Sequence, residues 1–103
     1  MTTYYRWQYG TYTLEEMQNY VSEDGADEGG TEGEGICACT SAADLIRNTV
    51  WADGKYAEGA EIVAFRGINA QEIYDGYRVY PTAIIARYTP AEFRSLHEAG
   101  EID

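Results

Sequence analysis

The sequence predicts one small α+β domain over residues 1–103: a mainly antiparallel sheet of four to five short strands, with two to three helices packed on one face. Three observations predict it. Ala60 to Phe93 holds the longest apolar runs, and an Asp75-Gly76 pair inside it marks a hairpin with a tight turn. Thr2 to Tyr9 alternates with the period of two that belongs to a strand. Three segments pair a hydroxyl residue with an acid three positions on, the capping box that starts a helix.

The first strand places Tyr5, Trp7 and Tyr9 on one face and Tyr4, Arg6 and Gln8 on the other. Gly10 ends it. Thr13 and Glu16 then cap a helix from about Leu14 to Tyr20, with Leu14, Met17 and Val21 as its apolar edge. Ser22 to Gly35 is rich in glycine and acid, so it reads as a mobile acidic loop. Ile36 to Thr40 is a short strand with Cys37 and Cys39 on one face. Ser41 and Asp44 open a second helix running to about Trp51, which buries Leu45, Ile46, Thr49 and Val50. Ala52-Asp-Gly-Lys55 is a turn.

Glu61 to Arg66 reads as a central strand, since Ile62 to Phe65 is apolar without a break. A turn is expected over Gly67 to Ala70, followed by a hairpin from Glu72 to Tyr80. Pro81 is expected to interrupt it before a further strand, Ala83 to Tyr88. Thr89, Pro90 and Glu92 open the last helix, which buries Phe93 and Leu96 and ends at Gly100.

Composition narrows the function. A chain of 103 residues with 45% hydrophobic content makes one folded domain. Seven basic against 18 acidic residues give a formal charge of −11. That surface repels phosphate and anionic lipid, which argues against direct binding of nucleic acid or membrane and favours a basic protein partner. No run has the length of a transmembrane span, and the N-terminus lacks a signal-peptide apolar core. With two thiols too close for an unstrained disulfide, the chain reads as cytoplasmic.

The acidic stretch is the most distinctive candidate site. Glu23, Asp24, Asp27, Glu28, Glu32 and Glu34 follow one another with no basic residue between them. Such an array can stand in for nucleic-acid phosphates in a basic groove, as a DNA mimic does. The ten tyrosines suit a contact surface, because each carries a hydroxyl on an apolar ring; Tyr4 and Tyr77 are the candidates taken with the acids. Cys37, Cys39 and His97 fall short of a zinc ligand set, so neither a metal nor a cofactor is expected.

This combination of small size, strong acidity, tyrosine and an acidic loop resembles the small acidic inhibitors that phages encode, the antirestriction and anti-CRISPR proteins. The resemblance implies a non-enzymatic inhibitor that occupies the nucleic-acid-binding site of a host defence protein. The order of elements also resembles the ADP-ribosyltransferase-like fold. That likeness rests on Arg6 in Tyr4-Tyr5-Arg6-Trp7, on Ser41 in Cys39-Thr40-Ser41, and on Glu72, with Glu92 behind it. It implies, as the alternative, an enzyme or inactive relative that binds NAD or a nucleotide. Arg6 would hold the dinucleotide, Ser41 would support the site and Glu72 would polarise the ribose hydroxyl. Helix capping alone also accounts for Ser41.

Overall fold

A computed structural model describes residues 2–19, 35–49, 60–73 and 76–102. Within them lie β1 (Tyr4–Tyr9), α1 (Leu14–Gln18), β2 (Ile36–Ala38), α2 (Ala42–Thr49), β3 (Ala60–Ile73), β4 (Gly76–Tyr88) and α3 (Pro90–Glu98). The strands form one four-stranded antiparallel sheet in the order β1-β3-β4-β2. The expected class, an antiparallel sheet with helices, is therefore present. The six acids of 23–34, the Ala52–Lys55 turn, Val21, Val50 and Trp51 lie outside the described residues.

Alternation along β1 divides the core in two. Tyr4 is buried on the inner face with Met17, Ile36, Ala38, Val63, Phe65 and Val79. Tyr5 and Trp7 point the other way, onto Cys39, Ala42, Leu45, Ile62 and Phe93. Two helices, α2 and α3, thus share the outer face through Leu45 and Phe93. The first helix, α1, covers the inner face through Met17, so the helices lie on both faces of the sheet and not on one as expected. A strand whose two sides are both apolar has to be covered twice, which explains the uninterrupted burial of Ile62 to Phe65.

The expected turn at Gly67–Ala70 and the expected break at Pro81 are corrected by the structure: β3 and β4 run through both. Gly67 and Pro81 face each other in the ladder. The register shifts at three places, leaving Ile85 and Thr82 extra on β4 and opposing Asn69 and Ala70 to Val79 alone. Such bulges bend and twist a ribbon. Beside one of them the missing N–H of Pro81 is tolerated, and the Thr82 hydroxyl donates to the Arg66 carbonyl at 3.2 Å. Gly67 is required there, because a Cβ would lie 2.3 Å from Val79 Cγ1. Asn69 takes the left-handed backbone, φ 57°, that a bulge can demand.

The bent hairpin curls the sheet until its two outer strands touch. Tyr5 and Cys39 exchange two backbone hydrogen bonds of 2.8 Å. Arg6 Nη1 adds a third link across this seam, donating to the Cys37 carbonyl at 3.1 Å. The inner cluster is thereby enclosed on its strand sides, and α1 closes one opening.

Helix starts follow the sequence closely. Thr13 and Thr89 cap α1 and α3 with complete boxes, and Ser41 Oγ accepts from the Asp44 N–H at 3.1 Å. Hydrogen bonds from the Thr13 backbone and then its side chain hold Glu16 below the ordinary carboxylate range; Thr89 does the same for Glu92. A carboxylate with a lowered folded pKa stabilises the fold above its unfolded value and loses that contribution as pH falls through the folded one. Acidification below about pH 4.5 is therefore expected to lower the thermal midpoint. A Glu16→Gln, Glu92→Gln double variant, followed by circular dichroism across that range, should show a smaller fall.

Candidate functional site

Charge is distributed unevenly along this chain. The described residues carry eight carboxylates (Glu15, Glu16, Asp44, Glu61, Glu72, Glu92, Glu98, Glu101) and six arginines (Arg6, Arg47, Arg66, Arg78, Arg87, Arg94). They are close to neutral. Most of the −11 therefore belongs to the remaining stretches, above all to 20–34 with its six acids and no base.

Both ends of that stretch rest on the same part of β4. Gln18, at the end of α1, donates its amide to the Pro81 carbonyl at 2.9 Å. Gly35, just before β2, lies against the Val79 carbonyl and the Tyr80 N–H, closely enough that a Cβ would be 2.6 Å from Val79 C. Gln18 and Gly35, on either side of 20–34, thus rest beside three consecutive residues of one strand.

A polar network holds the first of these ends in place. Glu61 accepts from Gln8 at 3.4 Å, Thr11 at 3.0 Å and Arg87 at 2.6 Å. Arg87 also donates to the Tyr12 carbonyl. The segment leading into α1 is thereby tied to β3 and β4. Sequence reasoning missed this network: Arg87 pairs with Val63, two residues from Glu61, only because of the three register shifts, which carry no local signal.

The other candidate residues fall in separate settings. Tyr4, expected on the binding surface, is instead 9% exposed, its ring 5.9 Å from Phe65. A tyrosine on the enclosed side of a curled sheet packs inward. Tyr77 is half-buried and meets Tyr4 edge-on at 6.4 Å, so only part of it faces solvent. Arg6 is buried and bridges Cys37 and Gln8 inside the sheet. Ser41 caps α2 on the outer face. Glu72 is exposed near the hairpin tip, paired with Tyr77. Arg6 and Ser41 are each accounted for by a local structural role.

Beside Arg6 lies a shallow crevice lined also by Gln8, Tyr12, Met17 and Ile36, which is too small to enclose a dinucleotide. Cys37, in β2, is half-buried, and Cys39, just after it, is buried in the outer cluster; neither is in a disulfide. Among the described residues no three of His, Cys, Asp and Glu gather as metal ligands, and no helix is long and apolar enough to cross a membrane.

A scan against protein-family models, a search of curated proteins and a search of solved structures each returned no match.

Proposed function

We propose that the chain is a non-enzymatic binding protein whose acidic stretch occupies the basic, nucleic-acid-binding site of a protein partner and so inhibits it. The observation that supports this reading is the segregation of charge: the described residues are nearly neutral, and between Gln18 and Gly35, which both rest on one place on β4, the sequence has six acids unmixed with any base. A single-signed array of this kind attracts a basic surface and steers its approach, and it repels nucleic acid itself. On the likeness to phage-encoded inhibitors, the partner would be a host defence protein.

The test replaces Glu23, Asp24, Asp27, Glu28, Glu32 and Glu34 by their amides. Proteins captured by the native chain should be lost by this variant. Their binding should weaken steeply between about 50 and 200 mM salt. A captured partner should also release labelled duplex DNA when the native chain is added. Identical capture and identical salt dependence for the two proteins would sink the proposal, as would a partner that keeps its nucleic acid.

A further inference from the structure

One continuous series of hydrogen bonds runs between the two elements that flank residues 20–34. At one end, the Cys37 carbonyl in β2 accepts from Arg6 Nη1 at 3.1 Å. Arg6 Nε donates to Gln8 Oε1 at 3.3 Å, and Gln8 Nε2 donates to Glu61 Oε1 at 3.4 Å. The same oxygen accepts from Arg87 Nη1 at 2.6 Å, and Arg87 Nη2 donates to the Tyr12 carbonyl. Tyr12 stands one residue before Thr13, the N-cap of α1. Side chains of β1, β3 and β4 thus join β2 to the start of α1. The inner part of the series is shielded from water: Arg6 is 8% exposed and Gln8 4%. Tyr12 and Met17, from the α1 segment, and Ile36, from β2, line the crevice beside them.

We propose that this buried series makes the α1 segment, Tyr12 to Gln18, and β2 open and close as one unit, with Arg6 and Gln8 as the coupling residues. Hydrogen bonds to a charged group are strong where water is excluded and weak where it competes. Lifting the α1 segment removes Tyr12 and Met17 from the crevice and lets water reach Arg6 and Gln8. The bond from Arg6 to Cys37, which ties β2 across the seam, then holds less well. Departure of β2 removes Ile36 and hydrates the same two side chains from the other end. Each opening therefore lowers the cost of the other. Apolar contact also joins the two elements, since Met17 and Ile36 share the inner cluster, so a test has to remove the polar series alone. On the function proposed above, a partner that steadies one flank of 20–34 would steady the other; the coupling itself does not rest on that function.

The test follows amide hydrogen exchange by NMR in the native chain and in Thr13→Ala, which removes the α1 cap. The reporters are Met17 and Asn19, whose N–H groups donate within α1, and Cys39, whose N–H donates to the Tyr5 carbonyl across the seam. Loss of the cap should quicken exchange about fivefold at Met17 and Asn19, and by a similar factor at the distant Cys39. Exchange in the central strand β3 should not change. In an Arg6→Met background, Thr13→Ala should quicken Met17 and Asn19 alone. Gln8→Met leaves Arg6 on Cys37 and should uncouple the ends as well, which keeps the test available if Arg6→Met does not fold. The coupling should persist when the six acids are neutralised, so its failure and that of the proposed function are told apart. Three results would overturn it: no change at Cys39 in Thr13→Ala, the same response at Cys39 with and without Arg6 and Gln8, or equal quickening throughout β3.

Discussion

Replacing Phe93 by alanine is expected to cost about 3–5 kcal/mol, the range for deleting a fully buried aromatic ring. Phe93 is 0% exposed and is the buried residue through which α3 is anchored. Its ring lies 5.4 Å from Tyr5 and 5.6 Å from Tyr88, so one side chain joins the helix to β1 and to β4. Truncation leaves a cavity lined by two other rings, which relax only in part. A domain of this size has a total stability of about 5–15 kcal/mol, so the variant should be largely unfolded by urea concentrations that leave the native chain intact. Urea denaturation followed by circular dichroism measures it. A loss below about 1 kcal/mol would mean that α3 is not held by this contact.

Gly35→Ala is the second large effect, expected at about 3 kcal/mol. Two causes add. The residue has φ 111°, where an L side chain is strained. The new Cβ would also meet Val79 C at 2.6 Å, Val79 O at 2.7 Å and Tyr80 N at 3.0 Å, all backbone atoms that no rotamer change can move. The damage should concentrate in β2, a strand of three residues whose Ile36 lies in the inner cluster. Hydrogen exchange should quicken at Ile36 to Ala38 before it quickens in β3. Gly100→Ala is the control: φ is 76° there but nothing lies within 4 Å, so only the backbone strain of about 1 kcal/mol remains. Equal losses in the two variants would refute the steric argument.

The parts of this fold that sequence makes legible are those with a local cause. Capping boxes at Thr13 and Thr89 are such cases, because hydroxyl, backbone N–H and glutamate all lie within four residues. The division of β1 into Tyr5–Trp7 and Tyr4–Arg6–Gln8 is another. What alternation cannot say is that both sides are covered. That depends on the curl of the sheet, and the curl depends on bulges at Ile85, Thr82 and Asn69–Ala70. Gly67 and Pro81 look like breakers one at a time; opposed across a ladder they mark a bend. The seam between Tyr5 and Cys39 joins residues with no local signal between them. As for the site, the acids stood out in the sequence, whereas the burial of Tyr4 and Arg6 needed the closed sheet to become visible.

The neighbouring attachment points of residues 20–34 bear on how this protein can change over generations. Loop-closure entropy rises only slowly with length, so doubling an insertion between two adjacent points costs about 0.6 kcal/mol. On closure entropy alone, a change of length between Asn19 and Gly35 therefore costs the fold little. On the function proposed above, recognition would drift while the scaffold stays under its own, separate selection.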